Sequence, residues 1–581
     1  MFRKLLIANR GEIALRVMRT AKEMGIATVA VYSEPDRESL HVAFADEAYC
    51  IGPAAPSASY LNVENILDIA RSSGAEAIHP GYGFLAENAA FARKVLEAHL
   101  IWVGPHPDSI DAMGDKVRAR QAMVKAGVPV VPGGTQEIQD VTAAREAAQI
   151  YGLPLALKAS GGGGGKGLKV ARTLDEIEAA FTTAQREALA YFKNGMIYAE
   201  RYLENPKHVE LQILADKFGN VVHVGERDCS LQRRHQKLWE EAPASISKKV
   251  RKGLREAGIK AAKAIRYDSV GTIECLVAGD EFYFLEMNTR IQVEHTVSEM
   301  ISGLDLIREQ IRVAAGEQLG YEQDDIEFRG CAIEGRVNAE DPGDNFRPAP
   351  GTITKYREPS GLGVRIDSAA YEGCTISADY DSMIAKLVVW APTRDQARER
   401  LRRAIDEYKI EGVPTTLPLL RGLIDLQSVK DGTYGTATLE QFAQTAFASP
   451  TNGATHELPS VKNEPGEVIR VEVNDKLFRV RILDLPAGTV SSGARSAAPR
   501  RTSTRKSALA TGNDVRSPMH GVVVELNLKE GDAIASGQVV AIIEAMKMMN
   551  EVRAHKDGTV AMVHAAPGQT IEAQSPLVTL Q

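Results

Sequence analysis

Cysteine is scarce and scattered. The 581 residues hold five, Cys50, Cys229, Cys275, Cys331 and Cys374, with no C-x-x-C pair. That spacing excludes a disulfide framework and a zinc site, and it fits the reduced thiols of a cytoplasmic protein. Long apolar runs are missing too. No stretch approaches the roughly 18 residues that a membrane-spanning helix needs. The opening MFRKLLIANRGEIA meets Asn9, Arg10 and Glu12 before a signal-peptide core can form, so neither a membrane nor secretion is expected. An excess of positive charge is also absent. The net charge of −7 gives no general pull toward nucleic acid or anionic lipid. What remains is an ordinary globular composition, and at roughly 150 residues per domain the length suggests about four domains.

The first hundred residues alternate strand-like runs (3–8, 27–32, 77–78, 101–104) with helix-spaced segments (11–24, 63–72, 88–98). This alternation predicts a parallel, doubly wound, Rossmann-like sheet. The first strand-to-helix turn, Asn9-Arg10-Gly11-Glu12, lacks G-x-G-x-x-G, which argues against a dinucleotide site. Helices are expected over 111–126 and 142–150, a β-rich region over 155–294 and a third mixed region over 331–446. Residues 447–467 are rich in Pro, Asn, Gly and Glu. Residues 468–483 alternate like a hairpin with Asn474-Asp475 at its turn, and 486–513 read as a flexible linker. Such a linker has an r.m.s. reach of roughly 30 Å and a ceiling of roughly 90 Å.

Residues 513–581 hold an internal repeat. GVVVELNLKEGDAIASGQVVAII from Gly521 aligns without gaps on GTVAMVHAAPGQTIEAQSPLVTL from Gly558, placing Gly531 on Gly568, Ile534 on Ile571 and Val540 on Leu577. Two such halves can bury their apolar faces only against each other, which predicts a small two-fold β-sandwich. Between them lies Glu544-Ala545-Met546-Lys547-Met548, so Lys547 is expected at an exposed tip. A surface lysine is ordinarily a solvated charge. This one is centred between methionines at the hinge of a pseudo-symmetric domain.

Three further features carry chemistry. Lys158-Ala159-Ser160 leads into the glycine run 161–165 and Lys166-Gly167, where backbone N–H groups can close on an anion without Cβ interference. It is not a Walker A loop, because Gly167 stands where Ser or Thr should be. Apolar strands on both sides suggest a hairpin lid over phosphates and weigh against a plain connector. Glu274 and Glu286 flank the turn Ala278-Gly279-Asp280 almost equidistantly. They should be cross-strand neighbours, and a cation between them relieves their repulsion. The bland alternative is two exposed strand glutamates. Asn288 could add an oxygen. Finally, Arg233, Arg234, His235 and Lys237 form a basic cluster. Such clusters are often solvated surface or nucleic-acid patches, but the phosphate-and-magnesium context favours anion binding.

Together LIANRGEIA, HPGYGFLAEN, KASGGGGGKG, ERDCSLQRRHQKLWEEAP, EMNTRIQVEH and EGRVNAEDP resemble the biotin carboxylases of the ATP-grasp superfamily, and EAMKM in its repeat resembles the biotinylation site of biotinyl carrier domains. The whole arrangement resembles the α subunit of bacterial acyl-CoA carboxylases. The resemblance implies an α/β and α+β multidomain chain: a Rossmann-like N-terminal domain (1–113), an ATP-grasp domain (114–330), a biotin carboxylase C-terminal domain (331–446), a linker with a docking hairpin as candidate element (447–512), and an all-β biotinyl domain (513–581). It also implies site roles. Lys116, Lys158 and the glycines Gly163, Gly164 and Gly165 hold ATP phosphates. Glu200, Arg201 and Leu203 form the adenine hinge, with His208, Gln232 and His235 completing the nucleotide pocket. Glu274, Glu286 and Asn288 bind Mg2+ (or Mn2+). Lys237, Arg290, Gln292 and Val293 hold bicarbonate, Glu294 is the general base, Arg336 faces biotin, and Lys547 carries it.

The same resemblance implies two partners, biotin protein ligase and a carboxyltransferase β subunit, and a homodimer or larger α/β assembly. About 65 residues between the third region and the carrier are too few for a carboxyltransferase domain. Two alternatives remain open. One is another biotin-dependent carboxylase (3-methylcrotonyl-CoA or pyruvate) or an ATP-grasp ligase with a different acceptor. The other is a nucleic-acid or scaffold protein using Arg495, Arg500, Arg501, Arg505 and Lys506, a run without aromatic residues for base stacking.

Overall fold

The computed structural model describes residues 1–447 apart from 135–136, 160–167, 193–194 and 235, the strands 468–473 and 476–481, and residues 513–581 apart from 519–520, 527, 546–547 and 572–573. A few further side chains, Lys116 among them, also lie outside what is described.

The N-terminal unit is the expected parallel sheet. Strands β1 (Lys4–Ile7), β2 (Ala27–Ser33), β3 (Glu47–Gly52), β4 (Ala77–His79) and β5 (Ile101–Trp102) lie in the order β3-β2-β1-β4-β5. Helix α1 (Gly11–Glu23) buries Ile13, Ala14, Val17, Met18 and Ala21, an i, i+3, i+4 stripe, against it. The strand order reverses between β1 and β4, where such sheets leave a crevice. Here Asn9, after β1, ties down the chain that follows β4 by donating to Pro80 O (2.7 Å) and Tyr82 O (2.8 Å). Gly81 sits against it with φ +63°, and a Cβ there would lie 2.9 Å from the Asn9 amide, so both backbone conformation and space require glycine.

A small lid follows. Strands β6 (Leu155–Ala159), β7 (Leu168–Ala171) and β8 (Ile197–Arg201) form an antiparallel sheet in the order β7-β6-β8. It is backed by helices Val141–Tyr151 and Ile177–Phe192 through an alanine-rich core that includes Ala144, Ala148, Leu157 and Phe181. The hairpin expected around the glycine run is present, with Leu155 opposite Ala171 and Lys158 opposite Leu168; the run itself lies outside the described residues.

The body is one eight-stranded antiparallel sheet. Its order is β13 (Glu281–Asn288), β12 (Ser269–Ala278), β9 (Lys207–Ala215), β10 (Val221–Arg233), β11 (Gln236–Ala242), β14 (Cys331–Asn338), then Met383–Ala391 and Val364–Ser368. The stretch 155–294 is β-rich as expected, but it also contains two long helices, Ile177–Phe192 and Lys248–Ala264, whose alanine and lysine content favours helix between strands of higher β-propensity. The strands of the third region continue the same sheet through β11 and β14, with Glu240 opposite Glu334. Leu5 and Val17 share a core with Leu214, Ile291 and Ile307, so the parallel sheet and the large sheet are packed as one body.

Beyond residue 467, Val468–Val473 pairs with Lys476–Arg481 as the predicted hairpin; Asn474 and Asp475 lie outside the described residues. The C-terminal repeat folds into two four-stranded sheets. Each half lends its two-residue strand to the other half's sheet: Ala533–Ile534 pairs with Gly558–Val563, and Thr570–Ile571 with Gly521–Glu525. The aligned Ile534 and Ile571 are both buried, as are Val540 and Leu577. The short strand Asp514–Arg516 leads into the domain, with Ser517 and Pro518 after it. Among the described residues no helix is long and apolar enough to cross a membrane.

Candidate active site

Strand register builds the site. Glu286 on β13 lies opposite Glu274 on β12, Glu274 opposite Glu210 on β9, and Glu210 opposite Arg227 on β10. Three carboxylates thus form one row across the sheet. Such a row is tolerable in a buried setting only if cations reach it. Two do. Arg227 is fully buried and saturates all five donors: Glu210, Gln212 (2.6 Å), Ser298 (3.0 Å), Thr272 (3.1 Å) and Gln292 (2.7 Å). Lys237 reaches over from β11 to Glu210 Oε2 (2.6 Å), Glu274 Oε1 (2.9 Å) and Glu294 Oε1 (2.6 Å). Burial opposes its charge, but the three carboxylates outweigh burial and hold its pKa well above the usual lysine value.

Glu294 follows β13 and begins helix His295–Ser302. Burial would raise its pKa; Lys237 and Arg336 overcome that and hold it below the usual carboxylate range, so the group is ionised. Its second oxygen accepts from Arg336 Nη2 at 2.9 Å. Glu274 is likewise depressed by Lys237 and His208 against burial. His208 Nε2 lies 3.0 Å from Glu274 Oε2, and that carboxylate raises the imidazole pKa despite burial.

A cavity of about 710 Å³ opens over this constellation, between the lid and the large sheet. Lys158, the strand end Glu200–Leu203, His208, Gln232, Glu286 and Arg336 are among the residues lining it. Its size suits a nucleotide-sized ligand. The oxygen-rich pair Glu274 and Glu286 suits a hard divalent cation. Buried groups His208–Glu210–Glu274 and Glu210–Cys229–Glu294 also have metal-like spacing, but the Lys237 ammonium bonds three of these carboxylates. Cys229 is a thiol here, because burial and Glu210 push its pKa up.

The sequence-predicted residues divide as follows. Lys237, His208, Gln232, Glu274, Glu286, Asn288, Arg290, Gln292, Val293, Glu294 and Arg336 converge on the cavity. Gln292 donates to Glu274 (2.7 Å), Asn288 Nδ2 donates to Glu274 (2.9 Å), and Arg290 spans Glu87 (3.0 Å) and Asn288 Oδ1 (3.0 Å). Lys158 pairs with Glu200 across the lid. The basic cluster does not converge as a unit. Arg233 donates to Asn345 (2.5 Å) and stacks on Phe346, Arg234 is exposed, and among its described members only Lys237 enters the carboxylate row. The Lys116 side chain, Gly163, Gly164, Gly165, His235, Lys547 and the basic run from Arg495 to Lys506 lie outside the described residues.

Several groups escaped the sequence reading: Glu210, Arg227, Glu240, Glu87 and Lys386. Glu210 and Gln212 alternate with Val209, Leu211 and Ile213, which reads as an ordinary half-exposed strand. The structure buries both faces. Glu87, inside HPGYGFLAEN, had the motif itself as its signal.

A Rossmann-like unit, a hairpin lid and a carboxylate–lysine cavity on a long antiparallel sheet define an ATP-grasp enzyme. Family models agree along the chain: "Biotin carboxylase, N-terminal domain" at residues 1–110, "Carbamoyl-phosphate synthase L chain, ATP binding domain" at 115–322, "Biotin carboxylase C-terminal domain" at 334–441 and "Biotin-requiring enzyme" at 513–580. Biotin carboxylase 1 of Bacillus subtilis is 52% identical over 445 residues, covering 76% of this chain and 99% of the relative. The biotin-dependent acyl-coenzyme A carboxylase alpha3 subunit of Mycobacterium leprae is 42% identical over 589 aligned positions, covering 100% of this chain and 98% of the relative. A crystal structure of the biotin carboxylase domain dimer of the Hydrogenobacter thermophilus 2-oxoglutarate carboxylase, in complex with MgADP, ADP and bicarbonate, superposes with a TM-score of 0.72 at 49% identity, over 78% of this chain and 99% of that one. The crystal structure of the biotin carboxylase subunit of pyruvate carboxylase superposes with a TM-score of 0.70 at 48% identity, over 78% of this chain and 100% of that one. The chain belongs to the biotin carboxylase family, with a biotinyl domain at its C-terminal end.

Proposed function

We propose that this chain uses ATP and bicarbonate to carboxylate biotin held on its own Lys547, as the α subunit of an acyl-CoA carboxylase acting on acetyl-CoA or propionyl-CoA. A separate β subunit would perform the carboxyl transfer. The observation that carries the reading is the convergence of Lys237, Glu294 and Arg336 in one cavity, on a chain that also ends in a biotinyl domain. The acyl-CoA assignment is supported by the Mycobacterium leprae subunit, which matches this chain end to end. Domain divisions at 113/114, 330/331, 446/447 and 512/513 belong to the same reading.

Bicarbonate is a poor electrophile and must first be joined to the γ-phosphate of ATP. Two anions then have to meet, and the chain supplies cations to both. Lys237, Arg290, Gln292 and the Val293 backbone hold bicarbonate; Lys116, Lys158 and the glycine loop hold the phosphates; Glu200, Arg201, Leu203, His208, Gln232 and His235 enclose the nucleoside. Ionised Glu294 takes the bicarbonate proton as its oxygen attacks phosphorus and ADP leaves. Glu274 and Glu286, with Asn288, would hold Mg2+ (or Mn2+), which supplies charge neutralisation at the phosphate oxygens. Biotin supplies the ureido nitrogen that accepts the activated carbon. Arg336 keeps its charge and forked donors at any working pH, which suits it to the ureido oxygen. A flexible linker with an r.m.s. reach of roughly 30 Å suits a tethered carrier.

Intact mass of protein from biotin-replete cells tests the carrier, with about 226 Da expected on the peptide containing Lys547. Co-purification with the native partner, followed by assay of acetyl-CoA, propionyl-CoA, 3-methylcrotonyl-CoA, pyruvate and 2-oxoglutarate, tests the acceptor. Turnover confined to an oxo acid would overturn the acyl-CoA assignment while leaving the biotin carboxylase intact.

A further inference from the structure

Arg336 is not held by Glu294 alone. Its Nε donates to Glu240 Oε1 at 2.6 Å, and its Nη2 lies between Glu240 Oε1 and Glu294 Oε2. Nη1 has no protein acceptor among the described residues, and Arg336 lines the cavity. Arginine and carboxylate normally close on each other through two parallel bonds. The Arg336–Glu294 contact is a single bond, because the Nε edge is already taken by Glu240 and the other Glu294 oxygen belongs to Lys237.

Glu240 itself is an expensive residue. It is fully buried on β11, its Oε2 has no hydrogen-bond partner, and the strand register sets it opposite another buried acid, Glu334. A buried acid with an idle oxygen, set beside a second buried acid, is a poor stability device. Its placement makes sense as a fixture for the guanidinium.

We propose that Glu240 is a positioning residue for biotin carboxylation: it holds Arg336 by its Nε edge, presents the Nη1 edge to the ureido oxygen of biotin, and prevents Arg336 from closing on Glu294 as a two-point pair. The inference rests on the roles given above to Arg336 and Glu294. With Glu240 neutral or retracted, Arg336 turns its free edge to Glu294. Biotin then loses its donor, and a second bond from Arg336 is added to the one that Glu294 already accepts.

The test uses the full chain, with phosphate release measured against free biotin, ATP and bicarbonate. Glu240→Gln is expected to lower kcat/KM for biotin by roughly 30-fold, with the KM for ATP changed less than about 3-fold. The deciding measurement is a double-mutant cycle with Arg336→Lys, whose side chain has no Nε edge to hold. In that background Glu240→Gln should change kcat/KM for biotin by less than about 2-fold. Should Glu240→Gln not fold, Glu240→Asp keeps the charge but withdraws it by one methylene, and the same split between biotin and ATP is expected. Losses that multiply fully in the double variant, or that fall equally on ATP and biotin, would overturn the proposal. Absence of biotin-dependent phosphate release in the unaltered chain would instead remove the reading on which it rests, so the two failures are distinguishable.

Discussion

The Lys237 ammonium lies 2.6 Å from Glu294 Oε1, and the same nitrogen closes on Glu210 and Glu274 from neighbouring strands. One cation thus compensates three buried carboxylates. Replacing it by the near-isosteric Lys237→Met leaves those carboxylates facing each other. The expected cost is about 3–5 kcal/mol of stability, together with loss of bicarbonate-dependent phosphate release. The stability loss should be smaller at pH 5 than at pH 8, because the stranded carboxylates can then take up protons. Thermal unfolding at the two pH values checks this, and an equal loss at both would refute it.

Glu294→Gln keeps the shape of the side chain and its acceptor oxygen but cannot take a proton. Bicarbonate-dependent ATP cleavage should fall by at least about 100-fold, the usual scale of general-base catalysis, while ATP affinity measured by calorimetry stays nearly intact. Retained turnover would remove Glu294 from the base role.

These two residues show how far a sequence can carry such a site. The motif EMNTRIQVEH pointed to Glu294, and the turn at Ala278-Gly279-Asp280 correctly set Glu274 against Glu286, because a two-strand register follows from local chain length. Glu210 and Arg227 could not be found that way. Their roles depend on which strand lies beside β12 and on both faces of β9 being buried, and both follow from long-range packing. The same limit explains the helices overlooked between residues 155 and 294, and the continuation of one sheet through β11 and β14. In the carrier domain the repeat itself encoded the topology, since two halves with matched apolar positions have only each other to pack against.

Glu286 faces Glu274 across the strands and is less buried than its partner. In the metal-ligand role proposed above, it is expected to matter for the divalent cation more than for folding. Glu286→Gln should raise the Mg2+ concentration needed for half-maximal phosphate release by roughly 10-fold or more, with the maximal rate recovered in part at high Mg2+. A metal titration that superposes on that of the unaltered chain would take Glu286 out of the ligand set.

Glu12 offers a pH test of the fold itself. It sits on α1, accepts a hydrogen bond from Tyr82 and lies 3.1 Å from the fully buried Lys386, which also donates to Val293 O at 3.2 Å. Burial pushes the Glu12 carboxyl up to about 7, and Lys386 only partly opposes that. A carboxyl raised in the folded state favours folding fully below its unfolded pKa, and the benefit is lost as pH rises through the folded value. Glu12 therefore takes stability away between about pH 4.5 and pH 7, up to about 3 kcal/mol for a shift of ~2.5 units. Glu12→Gln cannot ionise and retains a hydrogen-bond acceptor for Tyr82, while Lys386 keeps Asp367 at 3.6 Å. The Tm of the variant relative to the unaltered chain should consequently climb from pH 5 to pH 8. A difference that stays flat over that range, or falls, would mean that Glu12 is ionised throughout and that the Lys386 ion pair outweighs burial.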